Sequence, residues 1–171
     1  SGGEPSAWIL QMHIILHYFI AMVGMWMLAG RLGIGAWGKI YAGIAYGLTG
    51  MMVAHMIHPN MVFHMAWFPM IAALYWGGIR DQKFVPIVGA GLITGLVMLS
   101  GHPQSALTII LFLVAATIFE IVRTARRGER PFSGRMLRTL VVAVVSMISA
   151  AGIFAVQFLP SQQLAERSQR A

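Results

Sequence analysis

Long apolar stretches with few charges constrain the fold of this chain more than any other feature of its sequence. A helix needs roughly 17 to 25 apolar residues to cross about 30 Å of hydrocarbon. Stretches near that length predict spans at about 8–30, 40–57, 61–79, 84–100, 104–122 and 137–159. Charged residues make up only 10% of the chain, against about 25% in typical soluble domains. The sequence therefore predicts an all-α membrane protein, with residues 1–171 forming one polytopic bundle of about six transmembrane helices.

Proline and glycine modify this prediction at a few positions. Pro69 interrupts the third span, so that segment is predicted either as a kinked helix or as a re-entrant one. Gly43 with Gly47, and Gly91 with Gly95, repeat at a spacing of four residues. This spacing predicts close approach between helix backbones, because small residues let helices pack tightly in lipid.

Lysine and arginine residues fall in every second connection between the predicted spans. Of the 12 basic residues, all except Arg167 and Arg170 lie there: Arg31, Lys39, Arg80, Lys83, Arg123, Arg126, Arg127, Arg130, Arg135 and Arg138. Short loops rich in these residues stay cytoplasmic, which predicts that both ends of the chain are external. Topology thus explains the net charge of +7, and nucleic acid is not an expected partner.

The two ends of the sequence suggest a piece of a longer protein. "SGGEPSAW" lacks an initiator methionine and the basic and apolar regions of a signal peptide. The absence of cysteine excludes disulfides and thiolate metal sites. We therefore expect an internal membrane fragment that contains no cysteine-based site.

Histidines cluster on the side that the charge pattern places outside. The six are His13, His17, His55, His58, His64 and His102. Polar groups are costly in a membrane span unless they face protein or a water-filled cavity. Their distribution therefore predicts a polar vestibule that opens to the exterior.

Two external turns, "HPN" and "GHPQ", have similar chemistry. Each combines an imidazole, a proline and an amide, and each could simply reverse the chain between two helices. Together, and with an amide from the last span, they form a candidate set of donors for phosphate or sugar hydroxyls. The predicted substrate-binding residues are His58, Asn60, His102, Gln104 and Gln157.

A metal or haem module is the competing interpretation. Imidazole and thioether groups suit Cu(I), and "HMIHPNMVFHM" contains three histidines and three methionines. Such a module would use His13, His17, His55, His58 and His64. Methionine more often fills membrane cores, however, and the 13 methionines are spread along the whole chain. Likewise, His13 and His17 share a helical face but have no obvious ligand partner at matching depth. No residue is therefore assigned as a metal ligand.

Four segments in succession resemble the YfhO-like family of bacterial membrane proteins, which is similar to the C-type glycosyltransferases. They are "LHYFIAMVGMWMLAGRLG", "GIAYGLTGMMVAHMIHPNMVFHMAWFPMIAALYWG", "LSGHPQ" and "FLPSQQLAERSQR". The resemblance covers nearly all of the chain. It implies a multi-pass protein of the bacterial cytoplasmic membrane that transfers a sugar from a polyprenyl-phosphate donor to a cell-envelope polymer at the external face.

The resemblance also bears on the catalytic residues. The family's catalytic Asp or Glu is expected in an external loop upstream of Ser1, and Glu4 stays unassigned. A base would take the proton of the acceptor hydroxyl, while cationic groups or a divalent metal would stabilise the leaving phosphate. The family tail matches Ser168 and Arg170, and helix capping is favoured over phosphate contact for the arginine. This chain is expected to shape the donor or acceptor site.

Overall fold

The computed structural model describes residues 7–127 and 133–168, and the regular elements in these ranges are all helices. They are α1 (Ala7–Arg31), α2 (Ala36–Gly47), α3 (Gly50–Ala54), α4 (Pro59–Asp81), α5 (Phe84–Met98), α6 (Pro103–Arg126) and α7 (Gly134–Ser168). The predicted all-α fold is confirmed.

Among the described residues, four helices are long and apolar enough to cross a membrane. They occupy Trp8–Arg31, Pro59–Asp81, Gln104–Arg126 and Gly134–Leu164. These stretches coincide with four of the predicted spans, and the chain is accordingly a membrane protein. The longest helix, α7, has 35 residues and extends about 52 Å at 1.5 Å per residue.

The other two predicted spans are shorter than expected. The segment predicted at 84–100 forms α5, which has only 15 residues. The segment predicted at 40–57 is divided between α2 and the five-residue α3. Thr49 lies at the break, where its Oγ1 accepts a hydrogen bond from Met52 N at 3.3 Å and begins α3. A threonine that caps a new helix competes with continuation of the previous one.

Pro69 leaves α4 continuous. The helix runs for 23 residues with Pro69 buried inside it, so of the two predicted alternatives, a kinked helix and a re-entrant segment, the re-entrant one does not occur. A length of about 34 Å is sufficient to cross the hydrocarbon layer.

Helices α1 and α4 lie side by side and run in the same direction. Their contacts progress in register from Gly24 with Met70 to Arg31 with Asp81. The intervening α2 returns the chain along α1, where Gly43 and Gly47 contact Met22.

Helix α5 lies between α4 and α7, and two of its glycines allow close contact with α7. A Cβ atom at Gly91 would lie 2.5 Å from the Ser146 carbonyl oxygen, and one at Gly95 would lie 2.8 Å from that of Ala150. The predicted close approach at both glycine pairs is confirmed. The main core forms around these contacts and comprises Ile71, Tyr75, Ile79, Ile87, Ala90, Val97, Ile109, Leu113, Ala116 and Val142.

A buried hydrogen bond joins α4 to α6 within this core. Thr117 Oγ1 donates to the Leu113 carbonyl at 2.8 Å, so the Tyr75 hydroxyl, 2.7 Å away, donates to Thr117. Tyr75→Phe is expected to lower the free energy of unfolding by about 1 kcal/mol, because one buried hydrogen bond is lost. Denaturant titration in detergent micelles would measure this change. Tyr41→Phe is the control, because Tyr41 is 76% exposed; an equal effect of both substitutions would contradict the prediction.

Charged side chains gather at one end of the bundle. Arg31 forms an ion pair with Asp81 at 3.0 Å, and Glu120 pairs with Arg123 at 3.3 Å and with Arg135 at 3.1 Å. These contacts join the carboxyl ends of α1, α4 and α6 to the start of α7. The loops that were predicted to share one side of the membrane therefore meet at one end, and its cytoplasmic orientation stays a prediction.

Candidate functional site at the histidine end

The opposite end of the bundle carries the two His-Pro turns. His58 and His102 occupy the N-cap positions of α4 and α6, and a proline begins each helix. Proline suits this position because its missing N–H would have no partner in the first turn. The two turns differ in capping, since His102 accepts a hydrogen bond from Ser105 N at 3.3 Å whereas the His58 side chain makes no cap bond.

A cavity of about 440 Å³ lies beside the second turn. It is enclosed by the end of α5, the start of α6 and the second half of α7. Its lining residues are Met98, Gly101, His102, Ala106, Leu107, Ile110, Phe154, Gln157, Phe158 and Ser161. The wall is thus largely apolar, with His102, Gln157 and Ser161 as its polar side chains. This combination suits a ligand with an apolar body and a polar group.

Two of the five predicted substrate-binding residues, His102 and Gln157, meet at this cavity. The other three lie elsewhere at the same end. Asn60 Oδ1 accepts a hydrogen bond from Met61 N at 2.9 Å, and the His58 ring lies 6.3 Å from that of His55. Gln104 is exposed on the first turn of α6. These three residues therefore do not line the 440 Å³ cavity.

A second cavity, of about 160 Å³, lies on the other side of the first turns of α6. Tyr46, His64, Met65, Phe68, Ser105, Thr108 and Ile109 line it. His64 is only 2% exposed, and its ring centroid lies 5.7 Å from that of His102 in an edge-to-face arrangement. His102 thus lines the larger cavity and contacts a residue that lines the smaller one.

Sequence reasoning missed the serines of this region. Ser100 Oγ lies 3.0 Å from His64 Nδ1, and Ser105 Oγ lies 2.8 Å from His102 Nδ1. Ser161 adds a hydroxyl to the larger cavity. Ser100 and Ser105 flank the turn in "SGHPQS", so the sequence alone shows that both are close to His102. The pairing of Ser100 with His64 depends on packing between α4 and the end of α5.

His13 and His17 form a separate cluster between α1 and α4. Their ring centroids are 4.2 Å apart, and His17 lies 4.9 Å from the Phe63 ring. His17 Nδ1 donates to the His13 carbonyl at 2.7 Å, because a carbonyl oxygen can only accept. Rings placed side by side on one helix do not offer a haem iron ligands on its two opposite faces.

The described histidines form three pairs of neighbouring rings. The pairs are His13 with His17, His55 with His58, and His64 with His102. Within residues 7–127 and 133–168, no group of three or more His, Cys, Asp or Glu side chains is arranged to hold a metal ion.

The carboxylates of Asp81 and Glu120 lie at the charged end, away from both cavities. Glu4 and Arg170 lie outside the described residues, as does the side chain of Glu166. The two described carboxylates thus occupy no position from which they could act on a ligand at the histidine end.

Comparisons with models of known protein families, with curated proteins and with solved structures give no match to this chain.

Proposed function

We propose that this domain binds the polyprenyl-phosphate-linked sugar donor of a glycosyltransferase in the bacterial cytoplasmic membrane. The observation that carries the proposal is the 440 Å³ cavity at the histidine end, whose walls are apolar and whose polar groups include His102 and Gln157. A prenyl chain is apolar, so the walls bind it by excluding water. The side-chain amide of Gln157 donates hydrogen bonds to the phosphate oxygens.

The location of the cavity fits transfer at the external face to a cell-envelope polymer. The positive-inside rule assigns the arginine-rich end to the cytoplasm and the histidine end to the exterior. Glycosyl transfer also needs a base for the acceptor hydroxyl. The resemblance to C-type glycosyltransferases gives that role to an Asp or Glu of an external loop, and we assign donor binding to this domain.

A binding measurement tests the proposal. The purified chain in lipid nanodiscs is titrated with polyprenyl phosphate and, separately, with the uncharged polyprenol of the same length. We expect saturable binding of both, with the phosphate bound at least tenfold more tightly because hydrogen bonds to charged groups are the stronger ones. Absence of saturable binding, or equal affinity for the two lipids, would overturn the proposal.

Gln157→Leu is expected to weaken polyprenyl phosphate binding at least about tenfold, through loss of one hydrogen bond to a charged group. The affinity for polyprenol should change little, because polyprenol has no phosphate for the glutamine amide to bind and leucine can contact the prenyl chain. Gln162→Leu is the matched control, since Gln162 lies on the same helix but does not line the cavity. Native mass spectrometry or tryptophan fluorescence would supply the affinities. Equal losses in both variants would contradict a specific role for Gln157.

A further inference from the structure

The hydrogen bonds around His64 determine which of its nitrogens carries hydrogen. Nδ1 lies 2.8 Å from the Asn60 carbonyl oxygen, which has no hydrogen to donate, so Nδ1 must be the donor. Ser100 Oγ donates to the Val97 carbonyl at 2.8 Å and is thereby an acceptor toward the same Nδ1–H at 3.0 Å. In the neutral imidazole, Nε2 is therefore left with a lone pair that can only accept.

This lone pair is buried without a partner. His64 Nε2 is inaccessible to solvent and has no hydrogen-bond partner among the described residues. A buried acceptor that is left unsatisfied destabilises the folded state, because it has lost its hydrogen bond to water. Because His64 lines the 160 Å³ cavity, a hydrogen-bond donor within that cavity would satisfy it.

His102 has the opposite arrangement. The Ser105 backbone N–H can only donate, so the Nδ1 atom of His102, 3.3 Å away, is an acceptor. The Ser105 hydroxyl, at 2.8 Å, donates to the same nitrogen. Neutral His102 therefore carries its hydrogen on Nε2. The neighbouring rings of His64 and His102 thus offer one acceptor and one donor.

The hydroxyl groups that line the smaller cavity donate their hydrogens to other protein atoms. The Tyr46 hydroxyl donates to the Met65 carbonyl at 2.9 Å, and Thr108 Oγ1 donates to the Gln104 carbonyl at 3.1 Å. With Ser105 donating to His102, each of these oxygens presents lone pairs to the cavity. The cavity is therefore rich in acceptors.

We infer that His64 and His102 bind a sugar hydroxyl at the side of the smaller cavity where the two rings meet, with the hydroxyl donating to His64 Nε2 and accepting from His102 Nε2–H. The centroids of the two rings lie 5.7 Å apart. One oxygen atom placed between the rings is therefore within hydrogen-bonding reach of a nitrogen of each. A phosphodiester has only acceptor oxygens and cannot satisfy His64 or the other lone pairs. This inference rests on the proposed function, and it assigns the sugar of the lipid donor to the side of His102 that faces His64 and the phosphate to the side that lines the larger cavity.

Nitrogen NMR tests the inference without any substitution. Histidine labelled with ¹⁵N in the full chain should show hydrogen on Nδ1 of His64 and on Nε2 of His102. Polyprenyl-phosphate glucose should shift the His64 Nε2 resonance toward that of a hydrogen-bonded nitrogen, whereas polyprenyl phosphate should not. Hydrogen on Nε2 of His64, or equal shifts with the two lipids, would overturn the inference.

Substitutions supply an independent measurement. His64→Phe should weaken polyprenyl-phosphate glucose binding about tenfold and leave polyprenyl phosphate binding unchanged. His64→Gln should retain most of the affinity, because the glutamine side-chain oxygen can accept the hydroxyl hydrogen. His55→Phe is the matched control, since His55 makes the same kind of bond to the carbonyl four residues earlier, at 2.8 Å, but is not among the residues that line either cavity at this end. Equal weakening of both lipids by His64→Phe would contradict sugar recognition.

The failure of this inference can be distinguished from failure of the proposed function. If neither polyprenyl lipid binds but methyl glucoside shifts His64 Nε2, the lipid-donor proposal fails and the hydroxyl site stands. If polyprenyl phosphate binds but glucose on the lipid leaves His64 unaffected, only the hydroxyl site is overturned. Absence of every response overturns both.

Discussion

Replacing Gly91 with alanine is expected to lower the free energy of unfolding by about 2–3 kcal/mol. The added Cβ would lie 2.5 Å from the Ser146 carbonyl oxygen and 3.0 Å from Ser146 Cα. Both are backbone atoms of α7, which cannot move aside as the end of a flexible side chain can. Helices α5 and α7 would therefore have to separate, with loss of contacts along their whole interface. Denaturant-induced unfolding in mixed micelles would measure the effect.

Gly89→Ala provides the matched control on the same helix. A Cβ at Gly89 would have its nearest neighbour, Leu74 Cδ1, at 3.8 Å, which is an ordinary contact. Alanine is also favoured over glycine in a helix by up to about 1 kcal/mol. Gly89→Ala should therefore leave stability unchanged or raise it. Equal effects of the two substitutions would show that α5 and α7 do not approach each other at Gly91.

Arg135→Leu is expected to destabilise the protein by about 2–3 kcal/mol. Glu120 is only 2% exposed, and Arg135 is one of its two ion-pair partners. Arg135 also donates to the Arg80 carbonyl at 3.0 Å. Removing it leaves a buried carboxylate with Arg123 alone, and loss of one partner from a buried pair costs about 3–5 kcal/mol. We expect a loss at or below the lower end of that range, because the Arg135 side chain is 34% exposed and solvent screens the ion pair. The same micelle unfolding assay would measure the loss.

Two further variants separate the ion pair from a general effect of charge. Arg138→Leu removes an arginine from the same helix at an exposed position and should have little effect. The double substitution Arg135→Leu with Glu120→Gln should recover part of the lost stability, since the unpaired negative charge is also removed. A double variant less stable than Arg135→Leu would show that the Glu120 charge is not what destabilises the single variant.

The sequence predicted the helical fold well because its signals are local. Apolar length and sparse charge are sufficient to locate the four long helices, and the small residues predicted the close approach at Gly91. Two features depend on tertiary contacts and could not be predicted in this way. The break at Thr49 requires a choice between continuing α2 and capping a new helix, and the short length of α5 requires knowledge of the helices on both sides.

The candidate site was predicted only in part. Charge alternation correctly grouped the histidine-bearing turns at one end, and His102 and Gln157 meet there although they are distant in the sequence. Hydropathy does not determine how a helix is rotated about its axis. The sequence therefore did not predict that His64 would be buried while His58 and Asn60 would not. The serine contacts that determine the hydrogen positions of both imidazoles arise from packing and were missed.

The length of α7 has a consequence for how a lipid reaches the larger cavity. The wall from Phe154 to Ser161 lies about 30–40 Å along the helix from Gly134, at 1.5 Å per residue. With Gly134 at one surface of a hydrocarbon layer about 30 Å thick, that wall lies at the level of the opposite headgroups. Under the proposed function, a prenyl lipid would enter by lateral diffusion within its own leaflet, its chain remaining in hydrocarbon, and the protein would not need to extract it from the bilayer.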